Sequence, residues 1–585
     1  MTAYVNKPSL DCIEHPPLVI GNNQRIPWIN SIATRPPITK EKRNRAGKPK
    51  TKTGCQTCRT RHVKCDEAKP SCNRCIKFGT ECDGYSNTRV RGSPIQTQRS
   101  FLLPKRPVPI PRATITRLDV GPRFESDLEL RYFRVFCDQI AAEITIPYKS
   151  SLWNRLIPQA SEIHPFVRHA VVAIGAMSKS SGGTMQSGDN RSLNSEHLYA
   201  LQQYDKALRG MRKALELGKH NVRDALIACL LAFCFETLQG RQGPACALAS
   251  SGMELFYKWR DENESSKSST ARQALEDDLI YAFGSLDLQV LLFLDQRPLD
   301  LHQKAINKYN QALRLMPLKF SSLKAVCSCW QLIMKRNLHF KAKAQIMGKA
   351  ADLGGEIQDP GWPDTADFDA GAVPFSAVKE PSPEIQAECA EYVEDVHRWS
   401  RAAANVFSSI LPLDQASVLG ATLLKIQAHM NVITIAGMSF TSETRFDAFL
   451  TEFHAILTLS SSIHAQLISS SKESGLYRFD LGIIPALYLV GSRCRDRRVR
   501  SQAIDLLHSS PYREGIWDSG AVWAISNWLR NIEEESLGPN DDYIPEHKRA
   551  FLTSGTVDLY NRRGNFQCTQ RHGSHLGFRE ATLTW

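Results

Sequence analysis

Six cysteines that lie within 28 residues have the chemistry and spacing of metal ligands. Their gaps are two, six, six, two and six residues, so the segment is two copies of C-x2-C-x6-C joined by six residues. So short a stretch cannot bury enough apolar surface to fold alone, and metal ligation is the expected source of its folding free energy. Thiolate is a soft ligand that suits zinc, and six thiolates give two zinc ions four ligands each only if two sulfurs are shared. The pattern predicts a site for two Zn2+ ions with the ligands Cys55, Cys58, Cys65, Cys72, Cys75 and Cys82.

Three disulfides are the alternative use of six cysteines, and they require an oxidising compartment. The first ten residues lack the apolar core of a secretory signal, and the other ten of the 16 cysteines are scattered along the chain. We therefore expect zinc rather than disulfides. The cysteines alone leave open a metal store or a metal sensor.

The residues between the cysteines are basic. Residues 58–65 read Cys-Arg-Thr-Arg-His-Val-Lys-Cys, and residues 40–92 hold fifteen Lys or Arg against five Asp or Glu. That segment carries a net charge of +10 out of +13 for the whole chain. Six thiolates and two zinc ions sum to a formal charge of about −2, so the basic charge exceeds what the cluster needs. Charge concentrated in this way predicts a partner with a phosphate backbone, of which double-stranded DNA is one.

The cysteine gaps, together with Arg59, Arg61, Lys64 and Pro70, resemble the fungal binuclear zinc cluster (Zn₂Cys₆) DNA-binding domain. This resemblance implies that the first and fourth cysteines bridge both metals. It implies that the second and third cysteines complete one zinc site and the fifth and sixth the other. The bridging pair would be Cys55 with Cys72, and the terminal pairs Cys58 with Cys65 and Cys75 with Cys82.

The same resemblance implies how DNA is bound. A short helix after Cys58 would enter the major groove and read a CGG-type triplet, with a turn at Lys69-Pro70 between the halves. Arg61 and His62 match the base-reading positions, where relatives carry two basic residues. Arg61 offers a bidentate fork to guanine, whereas a neutral imidazole offers one donor. The phosphate contacts would fall to Arg59, Lys64 and Lys77.

The fold class we predict is mainly α. It comprises a small zinc cluster module, a disordered linker, a large all-α regulatory domain and a short C-terminal β-hairpin. The predicted boundaries are a disordered N-terminal segment over 1–39, a basic arm over 40–53, the DNA-binding domain over 54–83, a Pro/Arg-rich linker over 84–124, the helical domain over 125–535 and a tail with the hairpin over 536–585.

Two of these segments bear on localisation and assembly. The basic arm is typical of nuclear import or DNA tracking, so we expect the nucleus. Prolines in the linker exclude the coiled coil that many relatives place there, because each proline removes a donor and clashes with the preceding helical turn. A homodimer would therefore form through the helical domain.

Apolar periodicity predicts the helical domain. Residues 225–235 are eleven unbroken apolar residues or cysteines, which indicates a buried helix too short to span a bilayer, and no membrane partner is expected. At the start of the domain, apolar side chains recur every fourth position, at Leu128, Tyr132, Phe136, Ile140 and Ile144. Several segments resemble the fungal-specific transcription factor domain, namely 152–161, 168–170, 482–485, 494–496 and 510–517.

Three further segments have distinctive composition. Residues 178–195 are rich in Ser, Gly and Asn and predict an exposed loop. Residues 356–375 mix acidic and aromatic side chains, which suits either a coactivator-binding segment or a plain loop. Residues 556–560, 561–564 and 565–570 predict a strand, a turn and a strand, and residues 581–585 could add a third strand.

Catalytic signatures such as a P-loop, H-E-x-x-H, G-x-S-x-G or a dinucleotide fingerprint are not found, so we do not expect an enzyme. The sequence predicts a nuclear, sequence-specific transcription factor. The family resemblance implies that it regulates RNA polymerase II transcription of a metabolic gene set, since many members of the family switch on such sets, including secondary-metabolite clusters. The alternative is a zinc-cluster protein that binds another protein or responds to metal without reading DNA. The sequence leaves undecided whether the helical domain has a pocket for an effector, and no residue can be assigned to such a pocket.

Overall fold

The computed structural model describes most of the chain in two separate units. A cysteine module covers residues 53–85, and a helical unit covers the described residues from Phe124 to Trp585. The segments predicted over 1–39, 40–53 and 84–124 lie outside the described residues, except for residues 53, 84, 85 and 124. The described ranges are 53–85, 124–144, 150–184, 195–217, 221–264, 277–293, 295, 297–352, 366–368, 381–410, 415–470, 476–509, 511–535, 537–538, 543–572 and 575–585.

The cysteine module contains two short helices, α1 (Gln56–Thr60) and α2 (Asn73–Phe78). Each begins directly after the first cysteine of its C-x2-C-x6-C copy. Gly84 and Tyr85, two residues beyond the predicted boundary, belong to the same packed unit. The backbone N–H of Gln56 donates to the Gly84 carbonyl at 3.1 Å. The hydroxyl of Tyr85 donates to the Ala68 carbonyl at 2.9 Å.

The helical unit is built from antiparallel and crossing helices, as the predicted fold class requires. Two π-helical segments, Phe136–Ile140 and Leu152–Leu156, and two 3-10 segments, Glu443–Phe449 and Glu546–Lys548, interrupt or join them. The α-helices are Asp127–Val135 (α3), Ala141–Ile144 (α4), Ile157–Ile163 (α5), Pro165–Thr184 (α6), Ser195–Glu216 (α7), Val222–Gln239 (α8), Gln242–Glu264 (α9), Asp277–Phe293 (α10), Leu299–Leu313 (α11), Leu323–Asp352 (α12), Pro383–Ser409 (α13), Gln415–Gly437 (α14), Leu450–Ser470 (α15), Ile484–Arg493 (α16), Arg497–Ser509 (α17) and Ser519–Glu534 (α18).

The core of this unit contains helices that are apolar on all sides. In α8 every residue from Asp224 to Gln239 is buried, which confirms the buried helix predicted over 225–235. Among the described helices, α14 alone is long and apolar enough by length and composition to cross a membrane. It packs against α12, α13, α15 and α16, and most of it is buried. A core helix has these properties.

Strands are few and gather at the C-terminus. The described strands are Ala366–Phe368 (β1), Leu476–Arg478 (β2), Tyr512–Glu514 (β3), Trp517–Asp518 (β4), Ala550–Asp558 (β5), Arg563–His572 (β6) and His575–Thr584 (β7). One sheet has the order β1-β5-β6-β7, and its pairs are antiparallel. The predicted hairpin is confirmed, with Asp558 opposite Arg563 at its turn. The third strand starts at His575, earlier than the predicted residue 581.

Two predictions about loops need correction or refinement. The exposed loop predicted over 178–195 is wrong for its first part, because α6 continues to Thr184, and residues 185–194 lie outside the described residues. In the acidic and aromatic segment, Ala366–Phe368 forms β1, the edge strand paired with β5. The rest of that segment is outside the described residues.

A buried glutamate joins two segments that resemble the transcription factor domain. The Glu514 carboxylate in β3 accepts hydrogen bonds from the backbone N–H groups of Gly482 at 3.0 Å, Ile483 at 2.8 Å and Ile484 at 2.9 Å. Ile484 begins α16 and the other two residues directly precede it, so Glu514 accepts from N–H groups at the helix N-terminus, where no earlier carbonyl of the helix is in place to accept them. Burial raises the pKa of Glu514, and the nearby Arg478 together with these hydrogen bonds opposes the shift.

Candidate zinc centre and nucleic-acid interface

The six predicted ligands of the module come together as two overlapping groups of four. One group contains Cys55, Cys58, Cys65 and Cys72, and the other contains Cys55, Cys72, Cys75 and Cys82. Within each group the sulfur atoms all lie within 4.8 Å of one another. Cys55 and Cys72 belong to both groups, as the bridging positions of a binuclear cluster would.

The sulfur spacing fits tetrahedral zinc. A Zn–S bond of about 2.3 Å places the sulfurs of one tetrahedron about 3.8 Å apart. The sulfur of Cys55 lies 3.6 Å from that of Cys72 and 3.8 Å from that of Cys75, and the sulfurs of Cys58 and Cys72 are 3.7 Å apart. Six clustered thiols, five of them buried, therefore have the donor set and the separations that two zinc ions require.

The thiols differ in how readily they ionise. Burial raises the pKa of Cys55 to about 12 and also raises that of Cys72. Burial would raise the pKa of Cys65 too, but hydrogen bonds from the backbone N–H groups of Cys55 and Glu67 lower it to about 6. A bound metal ion deprotonates a coordinating thiol. The two thiols shared between the groups are therefore those that most need the charge of bound cations.

The two copies of the cysteine motif are offset by 17 residues, so each residue of the first copy has a counterpart 17 positions later. The two copies also fold alike. In the first copy the Cys55 sulfur caps α1 by accepting from the Cys58 N–H at 3.4 Å. In the second copy the Cys72 sulfur caps α2 by accepting from the Cys75 N–H at 3.3 Å. The cysteines therefore begin the helices as well as offering ligands.

An aspartate after the third cysteine of each copy binds the helix of the other copy. The Asp66 carboxylate accepts from the backbone N–H groups of Asn73 at 3.1 Å and Arg74 at 3.3 Å, in the first turn of α2. Its counterpart Asp83 accepts from the Thr57 hydroxyl in α1 at 2.9 Å. These reciprocal contacts fix the two halves against each other without using the metal.

The predicted DNA-contacting side chains lie on the surface of the module with one exception. The exposed ones are Arg59, His62, Lys64 and Lys77, whereas Arg61 is half-buried. The helix that the resemblance implied after Cys58 begins earlier, at Gln56, and ends at Thr60. Its N-terminus is set by the sulfur cap of Cys55. Arg61 and His62 therefore lie in the turn that follows the helix.

Arg61 is half-buried because it stacks on an aromatic ring from the other copy. Its guanidinium carbon lies 3.4 Å from the centroid of the Phe78 ring. Phe78 is the last residue of α2 and is 63% exposed. Sequence reasoning did not select Phe78, although the 17-residue offset that relates the copies makes it the counterpart of Arg61.

A second group of metal-type side chains, in the helical unit, has a different explanation. His302 and His339 are buried beside Asp295. The Nε2–H of His302 donates to the Arg297 carbonyl at 3.0 Å, so its Nδ1 accepts from the Nδ1–H of His339 at 2.9 Å. Arg297 also donates to Asp295 at 2.7 Å. Both ring nitrogens of His302, the Nδ1 of His339 and one oxygen of Asp295 already have partners, and the Arg297 guanidinium adjoins them, so hydrogen bonding and charge pairing account for this group.

Comparison with known families agrees with both units. Residues 53–91 match the fungal Zn(2)-Cys(6) binuclear cluster domain, and residues 131–283 match the fungal specific transcription factor domain. The chain thus carries a zinc cluster DNA-binding domain and, in its helical unit, a region that matches the fungal specific transcription factor domain.

Similar proteins carry the same description. The aspercryptin biosynthesis cluster-specific transcription regulator atnN of Emericella nidulans is 24% identical over 87% of this chain and 90% of its own length. Transcription regulator lscL of Purpureocillium lilacinum is 29% identical over 34% of this chain and 48% of its own length. The transcriptional regulatory protein moc3 of Schizosaccharomyces pombe is 58% identical over 44 residues, 8% of this chain. No solved structure matches the chain.

Proposed function

We propose that this chain is a nuclear, sequence-specific DNA-binding transcription factor whose zinc cluster reads CGG-type triplets. The observation that carries the proposal is a chemical difference between two halves that share one fold. Where the first half has Arg59, Arg61 and Lys64, the counterparts in the second half are an isoleucine, a phenylalanine and a glutamate. Since the two backbones are alike, this difference supports a groove-facing surface on the first half.

Within that surface the side chains have different roles. Arg61 reads guanine O6 and N7 through a bidentate fork, and His62 beside it adds one donor. Arg59 and Lys64 bind phosphates, as does Lys77 from the second half. Phosphate contacts position the module and base contacts give it specificity.

The zinc ions hold this surface together. Cys55 and Cys72 would be shared by two zinc ions, Cys58 and Cys65 would complete one site, and Cys75 and Cys82 would complete the other. Because the first cysteine of each copy also caps its helix, ligation fixes the position of α1 and of the turn that bears Arg61. Metal binding is thereby coupled to DNA recognition.

The regulated genes form a metabolic set, and we propose a secondary-metabolite cluster transcribed by RNA polymerase II. The relative matched over most of its length is named as the regulator of one such biosynthesis cluster. The helical unit supplies regulation and self-association. Residues 356–375 are proposed to bind a coactivator.

Selection from a pool of randomised duplexes tests this function. Zinc-loaded full-length protein should enrich CGG-type triplets, and the same protein treated with a chelator should enrich none. A salt titration separates the alternative of a protein-binding or metal-responsive cluster. DNA binding driven by phosphates weakens linearly in log affinity against log salt concentration. Zinc-loaded protein that enriches no sequence and shows no such salt dependence would refute the proposal.

A further inference from the structure

Arg61 and Phe78 occupy equivalent positions in the two copies of the cysteine motif, and their side chains contact each other. Arg61 lies three residues after Cys58, and Phe78 lies three residues after Cys75. The guanidinium of Arg61 stacks on the Phe78 ring, with 3.4 Å between the guanidinium carbon and the ring centroid. A cation at this distance over an aromatic face is attracted by the ring quadrupole.

The two partners are held by different elements, and both elements are anchored to the cysteine cluster. Phe78 ends α2, and Gly79, with a left-handed φ of 76°, terminates that helix directly after it. Arg61 begins the turn after α1, where its backbone N–H still donates to the Thr57 carbonyl at 3.1 Å. The backbones that carry the ring and the guanidinium are therefore both held by the packed cysteine module.

The stack leaves the guanidinium with one free edge. The Nη1 atom of Arg61 is buried and has no hydrogen-bond partner, and it is the one guanidinium nitrogen of Arg61 in that condition. Nε and Nη2 form the other edge of the guanidinium and are not among its buried, unpaired atoms. A bidentate contact to guanine needs two adjacent N–H donors, and this edge provides them.

We propose that Phe78 is a specificity-determining positioning residue, which holds Arg61 so that its Nε–Nη2 edge faces the base it reads. The inference rests on the proposed function, because it assumes that Arg61 reads a base. Arginine has a long side chain that loses much conformational freedom when it is fixed in a complex. A ring that fixes the guanidinium plane beforehand reduces that loss for the matching triplet. The ring does not change the affinity that comes from phosphate contacts of other side chains.

The same helix offers a matched control. Ile76 is an apolar side chain in α2 with 62% exposure, close to the 63% of Phe78, and it precedes Phe78 by two residues. Phe78→Ala removes the ring, Phe78→Tyr keeps it, and Ile76→Ala removes a similarly exposed apolar group. Zinc content of each full-length variant, measured by native mass spectrometry, separates folding of the module from DNA readout.

The test is the ratio of affinities for a CGG duplex and for a duplex with the triplet replaced, measured on zinc-loaded full-length protein. Phe78→Ala should lower this ratio by about five- to thirty-fold, as expected for the loss of a cation–π contact, with two zinc ions retained. Phe78→Tyr and Ile76→Ala should keep the wild-type ratio. In the Arg61→Ala background, Phe78→Ala should have no further effect, because it acts through Arg61.

The outcomes distinguish this inference from the proposed function. If wild-type protein prefers the CGG duplex and Phe78→Ala keeps that preference in full, the inference is wrong and the function stands. If Phe78→Ala raises the preference, the ring restrains Arg61 rather than presenting it, and the inference is again wrong. If wild-type protein shows no preference, the proposed function fails and this inference fails with it.

Discussion

His62 and Gly79 occupy equivalent positions in the two copies of the cysteine motif, and both have left-handed backbones, with φ of 55° and 76°. The N–H of His62 donates to the Arg59 carbonyl and that of Gly79 to the Ile76 carbonyl. The next residue in each copy closes a six-residue loop, so both helices end in the same type of C-terminal cap. Glycine suits this backbone conformation, whereas histidine pays a steric cost there.

Replacing His62 with glycine should separate the role of its backbone from that of its imidazole. His62→Gly relieves a strain of about 1 kcal/mol, so the variant should resist zinc removal by a chelator at least as well as wild type. His62→Ala removes the imidazole but keeps the strain. It should release zinc at a lower chelator concentration than His62→Gly does. The opposite order would contradict this account of the turn.

The shared sulfurs make a prediction about zinc stoichiometry. Wild-type protein should carry two zinc ions in native mass spectrometry, because six thiolates hold two ions only by sharing. Cys72→Ala should disturb both sites, whereas Cys82→Ala should keep one ion under mild conditions. Both substitutions remove one thiol from the same copy of the motif, so each is a control for the other. A single zinc in wild type, or equal loss in the two variants, would be inconsistent with bridging.

Glu514 should be important for the stability of the helical unit. Glu514→Ala leaves three buried backbone N–H groups at the start of α16 without their acceptor and should destabilise the unit by about 3 kcal/mol or more. Glu514→Gln retains an oxygen acceptor and should cost less. Urea unfolding of the full chain, followed by circular dichroism at a helical wavelength, measures both. Equal stability of wild type and Glu514→Ala would rule out this role.

Assembly is expected to depend on the helical unit. One cluster covers a single triplet, which is too little information to select sites in a genome, so a second DNA-reading unit is needed. In sedimentation experiments at micromolar concentration, the full chain should behave as a dimer and a fragment of residues 40–124 as a monomer. A linker without a coiled coil would let the clusters adopt variable spacing. A monomeric full chain that still selects one triplet with flanking contacts would oppose this prediction.

The metal centre was the most predictable part of the chain, and the reason is geometric. Ligand spacing limits which sulfurs can meet, so the cysteine gaps alone specified the cluster, whereas the bridging pair came from the family resemblance. Apolar runs such as residues 225–235 likewise predict a buried helix, because every face of a helix with this sequence is apolar. The C-terminal hairpin followed from a turn between two strand-forming segments.

Contacts between distant side chains could not be predicted in this way. The 17-residue offset places Phe78 and Arg61 at equivalent positions but does not predict that they touch, and no sequence pattern joins Glu514 to Gly482. The loop prediction over 178–195 failed where Ser and Gly suggested a loop but α6, packed against α7, continues to Thr184. There tertiary packing outweighs weak helix propensity.

The most direct test of the central claim compares Arg61→Ala with Lys64→Ala on DNA. Zinc-loaded full-length proteins would be titrated with a CGG duplex and a triplet-substituted duplex over a range of salt concentrations. Arg61→Ala should cost on the order of 1–3 kcal/mol on the CGG duplex and flatten the preference. Lys64→Ala should weaken both duplexes alike and lower the salt slope by about one. If both variants lose affinity equally on the two duplexes, Arg61 does not read the triplet and the account is contradicted.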